Sequence, residues 1–306
     1  MKISENLDNN IENNYYFKSK LPLFISCQIS DQNVFSPFLK YTNKLFHLDV
    51  RGIEEIIHKS EGLIGLSLYG SLNAEKAIMR ILNLCKEKDV KVGIDLNCNL
   101  NELKLLKKIL KYIDLVRITV FSLDERKHEK YYSQFNDYLS IITALRTSVE
   151  YNIKLIIFPL TDENIDEFEN IYCFCRKMKI KLNPIFIPKT SKLLLTYHNY
   201  NQFIHSLKKI NDFNNIYIDF PTSCRDIRQS SVCPAMRYSI DAIGDRLRPC
   251  KFAGFTIGPT YDLKKIWENY DWNFSNKCKV CEFFRKCGGG CLLNRNKKNN
   301  TDFYCK

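Results

Sequence analysis

The chain has 306 residues, 45% of them apolar and 13% aromatic, enough to bury one large α/β core or two smaller ones and too apolar for a disordered protein. No stretch approaches eighteen uninterrupted apolar residues, and the opening MKISENLDNN has no basic region followed by an apolar one, so the expectation is a cytosolic protein with no membrane segment. The formal charge of +12 fits an anionic partner or a solvated basic face, while thirteen cysteines cannot all pair and, in a reducing compartment, point to metal or cluster ligation.

Residues 1 to 20, rich in Asn and Glu, read as an N-terminal arm. Six apolar runs of strand length follow: Leu21 to Gln28, Leu63 to Tyr69, Val90 to Asn97, Leu115 to Phe121, Ile153 to Pro159 and Ile180 to Ile187. Helical patterns separate them. In NELKLLKKILKYI the apolar residues Leu103, Leu106, Ile109, Leu110 and Ile113 recur at helical spacing, with Asn101 placed to cap the start. Strands alternating with helices predict a parallel sheet with right-handed crossovers, either open or curved into a partial barrel. With a connecting helix, YHNYNQFIHSLKKI, and a short strand, IYIDF, this unit spans residues 21 to 221. Beyond Pro221, Gly, Pro and Cys become frequent and helical periodicity fades, which predicts a second, cysteine-dependent domain over 222 to 306.

That second segment holds Cys224, Cys233, Cys250, Cys278, Cys281, Cys287, Cys291 and Cys305, enough thiols for two four-thiolate sites. Zinc and iron-sulfur clusters both accept such a set. Gly288, Gly289 and Gly290 lie among these thiols and, without a Cβ, let backbone N–H groups approach cluster sulfides closely. Residues 276 to 306 carry eight basic side chains against two acidic ones, which would offset the negative charge of a thiolate-bound cluster. Elsewhere, Cys85 shares an apolar helix face with Ile78, Ile81 and Leu82, and Cys175 continues the stripe of Ile165, Phe168 and Tyr172, so both read as core thiols. His198 and His205 share a helix face, a spacing that reads as ordinary surface or packing.

The run C-x10-G-x5-C (Cys233, Gly244, Cys250), then CKVCEFFRKCGGGC, then Cys305, resembles the SPASM domain, the auxiliary-cluster extension of many radical S-adenosylmethionine (SAM) enzymes that modify peptides. The resemblance implies one 4Fe-4S cluster on Cys224, Cys233, Cys250 and Cys291 and another on Cys278, Cys281, Cys287 and Cys305. It also implies that the six βα units form a radical SAM partial barrel. Two departures mark the extension: the Gly244 to Cys250 gap is one residue longer than is usual, and the upstream ligand is the variable one in such domains.

Such barrels carry C-x3-C-x2-C just after the first strand, three thiolates that leave one iron open for SAM. Here that place reads CQISDQNV, with Cys27 followed by Asp31 and Val34 where the other two thiolates belong. Valine cannot ligate iron, and a carboxylate is a hard ligand for a soft site. Cys27 alternates with Leu23 and Ile25 along one strand face, which reads as core. The Gly-Gly-Glu element that binds the SAM amino group in the family is replaced by LYGSLN, with Tyr69, Gly70 and Ser71 at that position. The segments SLDE and IIFPLTDENIDEFENI keep the look of strands four and five. The whole resembles pseudo-radical-SAM proteins with SPASM domains in peptide-maturation systems. That implies a pseudoenzyme that holds two 4Fe-4S clusters, does not cleave SAM, and acts with a partner radical SAM maturase or a precursor peptide by scaffolding or electron relay. Two other readings remain open at this stage: an active peptide-modifying enzyme with atypical SAM binding, and a zinc-stabilised adaptor. No recognition signature for nucleic acid accompanies the basic charge.

Overall fold

The computed structural model describes residues 19–30, 50–72, 74–132, 137–187, 195–212, 214–216, 235–237, 239–271, 275–281, 291 and 293. All six expected strands form: β1 (Phe24–Gln28), β2 (Gly65–Tyr69), β3 (Lys91–Leu96), β4 (Leu115–Thr119), β5 (Ile153–Leu160) and β6 (Lys181–Phe186). They pair in parallel, in chain order from β1 to β6. The crossovers carry α1 (Val50–Lys59), α2 (Glu75–Glu87), α3 (Leu100–Ile109), α4 (Glu125–Tyr132), α5 (Tyr138–Arg146) and α6 (Phe168–Met178). After β6 comes α7 (Tyr197–Ile210), which coincides with the connecting helix expected from sequence. Of the expected strand IYIDF only Ile216 is described, as a single bridge to Leu182.

The strands sort their side chains by face, as the two-residue period of a pleat requires. Ile25, Leu66, Leu68, Val92, Ile94, Val116 and Ile118 are buried in one apolar cluster with Ile56, Ile78, Ile81, Leu82, Leu103 and Leu106 of the helices. The opposite face is polar, carrying Ser26, Gln28, Ser67, Tyr69, Asp95, Arg117 and Thr119.

The sheet also runs on past residue 221. β7 (Ser239–Ile243) pairs in parallel with the free side of β1, β8 (Arg246–Arg248) returns antiparallel, and β9 (Gly258–Pro259) completes the order β6-β5-β4-β3-β2-β1-β7-β8-β9. Gly244 opens the two-residue β7–β8 turn with φ +55°, a conformation that favours glycine in a tight hairpin. A flat sheet would set β3 and β8 about 19 Å apart across four strand spacings. Yet Lys251, just past β8, reaches Asp95 of β3 at 3.3 Å. The sheet is therefore curled, polar face inward, as a partial barrel. The helices α8 (Leu263–Asn269) and α9 (Asn276–Lys279) follow β9, and no helix among the described residues is long and apolar enough to cross a membrane.

One local expectation is corrected. The cap of α3 is Asn99, whose side chain accepts from the Glu102 N–H at 2.9 Å; Asn101 is an exposed residue inside the helix. The chain leaves β3 with Cys98 at φ +58°, so the first helical turn begins two residues earlier than periodicity suggested. The helix then tightens into a 3-10 turn over Leu110–Tyr112. We expect Asn99→Ala to cost about 1 kcal/mol in urea unfolding, and Asn101→Ala to stay within about 0.5 kcal/mol of the parent.

Candidate functional site

Two clusters of charge occupy the inside of the curled sheet. In the first, Asp241 of β7 accepts from Ser26 Oγ of β1 at 2.7 Å and from the Tyr69 hydroxyl of β2 at 2.8 Å. Arg248 of β8 donates through Nε to Asp241 at 2.8 Å and through Nη2 to the Tyr69 oxygen at 2.6 Å. Four strands thus share one buried carboxylate, and the Asp241 side chain is fully enclosed. Burial and the neighbouring Asp241 push the Tyr69 hydroxyl well above its ordinary range, so it stays protonated and donates.

In the second cluster, Asp95 of β3 pairs with Arg117 of β4 and with Lys251. Arg117 also donates through Nη2 to Ser67 of β2. Burial works against the Asp95 charge, but Arg117 and Lys251 outweigh it and hold the carboxyl below the usual range. Gly93 makes room for this arrangement, because a Cβ there would lie 3.2 Å from Arg117 Nη2.

Toward the C-terminal ends of the strands the described interior side chains are buried. Gln28, Ser30, Ser71, Thr119 and Asn183 are all buried. Glu102, in the first turn of α3, is buried and accepts from the Leu72 N–H at 3.1 Å, tying the loop after β2 to the next helix. Burial pushes its carboxyl up despite that bond. Of Tyr69, Gly70 and Ser71, where the resemblance would put amino-group contacts, two are engaged internally: Tyr69 with Asp241 and Arg248, and Ser71 N–H with Ser30 Oγ at 2.6 Å.

Cys27 lies within β1, paired with Leu68 and Ala242, and belongs to the apolar outer face. Its neighbours along the strand, Ser26 and Gln28, serve the inner face. Burial, then Asp241 and Cys85, push its thiol well above the ordinary value. Asp31 and Val34 lie outside the described residues. Cys85 and Cys175 are core thiols as expected, each raised to about 12, chiefly by burial.

Of the eight thiols expected to ligate clusters, Cys250, Cys278, Cys281 and Cys291 are among the described residues. Cys224, Cys233, Cys287 and Cys305, with Gly288, Gly289 and Gly290, lie outside the described residues. Ser275 caps α9 through the Cys278 N–H at 3.1 Å, and the Cys281 N–H closes a turn onto the Cys278 carbonyl at 3.2 Å. Two thiols three residues apart on such a turn share one side of it. Soft thiolates in that arrangement fit an iron-sulfur or zinc site. Cys250 follows β8 after Pro249 and packs against the core cluster, which sets this position between Arg248 and Lys251 in the chain.

Sequence reasoning missed Tyr69 as a ligand of Asp241, and it missed Asp95, Glu102, Arg117, Asp241, Arg248 and Lys251 altogether. A signal was present. Charges within apolar strand cores, Asp95 in VKVGIDLN and Arg117 in LVRITVF, mark positions that must face a polar interior. We expect Asp241→Asn to destabilise the chain by about 3–5 kcal/mol by stranding Arg248, and Asp241→Asn combined with Arg248→Met to recover much of that loss, both read from denaturant midpoints. The folded-state carboxyl of Asp95 is held low, so its stabilisation is present above the unfolded value of about 4 and fades as pH falls through the lower folded value. The stability gap between parent and Asp95→Asn should therefore narrow in acid.

No protein-family model matches the chain. Trans-4-hydroxy-L-proline dehydratase activating enzyme of Clostridioides difficile is 30% identical over 133 residues, 44% of this chain and 41% of that protein, so the match spans less than half of either. Among solved structures, anSMEcpe with bound AdoMet and a Cp18Cys peptide superposes with a TM-score of 0.71 at 15% identity, covering 93% of this chain and 94% of that one. Streptococcus suis SuiB bound to its precursor peptide SuiA gives a TM-score of 0.69 at 15% identity, over 98% and 78%. These structural neighbours are radical SAM enzymes, and the chain has the fold of their barrel.

Proposed function

We propose that this chain is an iron-sulfur accessory protein of peptide maturation, one whose barrel does not cleave SAM and which works with a partner radical SAM maturase or a precursor peptide. The observation that carries the reading is the orientation of Cys27. Its thiol belongs to the helix-facing core beside Cys85, on the opposite side of β1 from the interior, where a SAM-binding cluster would need it. The engagement of Tyr69 with Asp241 and Arg248 supports the same reading, because these side chains are held by one another at the position where the resemblance would put SAM contacts.

Two 4Fe-4S clusters in the 222–306 segment complete the proposal, with Cys224, Cys233, Cys250 and Cys291 on one and Cys278, Cys281, Cys287 and Cys305 on the other. Such clusters would stabilise the segment, since ligand binding to the folded chain is folding free energy, and would offer a path for electrons. The peptides bound to anSMEcpe and SuiB support a peptide or peptide-modifying partner.

A second reading has its own support: the structural neighbours hold AdoMet, which favours an active enzyme that binds SAM in a different manner. One experiment separates the two. Under the accessory reading, anaerobically purified protein should carry about eight irons per chain and should release no 5'-deoxyadenosine above background when given SAM and dithionite. Cys27→Ala should leave the iron content unchanged, while Cys278→Ser combined with Cys281→Ser should remove about half. Sustained 5'-deoxyadenosine release, or iron lost with Cys27, would establish the second reading instead.

A further inference from the structure

A parallel sheet with helical crossovers gathers the strand N-termini and the helix C-termini at one end of the barrel. Charge sorts along that axis. The first turns of the helices carry Glu75, Glu102, Glu125 and Glu169, whereas last turns carry Lys86, Lys107, Lys108, Arg176 and Lys177. Helix dipoles account for part of this sorting. They do not account for Lys154 and Lys181, which stand at the starts of strands β5 and β6.

Two tight turns display these cations. Between α5 and β5 the Ile153 N–H returns to the Ser148 carbonyl at 2.9 Å and the Asn152 N–H to the Val149 carbonyl at 3.3 Å, and Val149 is left 93% exposed. Between α6 and β6 Lys179 takes a left-handed φ of +56°, and its N–H returns to the Arg176 carbonyl at 3.2 Å. Lys177, Lys179 and Lys181 are all exposed there, and Lys181 pairs with Leu155, one residue past the exposed Lys154. Acidic groups on the adjoining turns are each matched by another cation: Glu150 by Lys107, Asp114 by Lys91 and Asp212 by Arg176. Lys154, Lys177, Lys179 and Lys181 make no ion pair among the described residues. A lysine can guard an edge strand such as β6 against stray pairing, but β5 lies inside the sheet.

We infer that Lys154, Lys177, Lys179 and Lys181, beside the bare Val149 side chain, form a docking surface for an acidic segment of a polypeptide, at the end of the barrel where the strands begin. Such a segment supplies carboxylates for the ammonium groups and an aliphatic side chain for Val149. Lysine is a hydrated point charge without the planar fork that matches phosphate, and Val149 offers a nucleobase no ring to stack on. One exposed aliphatic side chain also buries too little apolar surface to hold a bilayer. The inference deepens the peptide-maturation reading by giving its partner a place to bind, and rests on that reading only for the partner's identity.

The test uses the full-length, anaerobically purified protein and fluorescence anisotropy of a labelled Glu-Glu-Leu-Glu-Glu peptide amide, with Gln-Gln-Leu-Gln-Gln as its neutral match. We expect the acidic peptide to bind at least about tenfold more tightly than the neutral one, and to weaken as salt is raised. Lys154→Gln with Lys181→Gln, and Lys177→Gln with Lys179→Gln, should each weaken it about fivefold, and Val149→Ser about threefold. Lys76→Gln with Arg126→Gln removes two exposed cations from the opposite end and should leave binding within about twofold of the parent. All these positions are exposed, and thermal unfolding reports whether each variant folds. Equal binding of the two peptides, or an equal loss in the variant at the opposite end, overturns the surface. Tighter binding of a pentathymidylate of the same charge, or of phosphatidylserine vesicles, overturns the polypeptide as its occupant. A lost surface leaves the 5'-deoxyadenosine result untouched, so the two proposals fail separately.

Discussion

The buried carboxylate of Asp241 is the interaction on which the rest depends. It joins Ser26 of β1, Tyr69 of β2 and Arg248 of β8 from its own place on β7, and these strands come from opposite ends of the chain. A charge in that position is tolerable only with full compensation, since removing it from water costs several kcal/mol. Ser26, Tyr69 and Arg248 supply that compensation from three neighbouring strands. The hairpin that carries Arg248 also carries Lys251, so the same curl brings a second cation to Asp95 and closes a second cluster beside the first.

This arrangement makes the β7–β8 hairpin part of the barrel sheet. β7 extends the parallel sheet past β1, and the turn at Gly244 directs β8 back across it. The spacing from Gly244 to Cys250 acquires a physical meaning here: it covers the tight turn, a short strand ending in the interior arginine, and the thiol just beyond. Any metal held through Cys250 would sit at the end of a strand whose inner side chain is locked to Asp241.

How much of this was legible in the sequence differs by level. The strands could be read because their outer faces, such as Ile25, Leu66, Leu68, Ile94 and Ile118, form an unbroken apolar periodicity. The core roles of Cys85 and Cys175 followed from helical spacing for the same reason. The cap of α3 was misplaced because a left-handed residue, Cys98, starts the helix early, and spacing carries no trace of a single positive φ. The interior clusters escaped notice because their members lie far apart in the chain, Ser26 and Asp241 by 215 residues, and only the folded sheet brings them together. Tyr69 illustrates the point: sequence marked its position as a departure from a SAM-binding element, but not that its hydroxyl had been recruited by Asp241.

A barrel interior whose charged side chains pair with one another, with Cys27 turned to the core, is the central claim. It is tested most directly by electron paramagnetic resonance of the dithionite-reduced, anaerobic protein recorded with and without SAM. The account predicts cluster signals whose g-values and line shape do not change when SAM is added. A new signal induced by SAM, with hyperfine coupling to label in its methionine carboxylate or amino group, would contradict it.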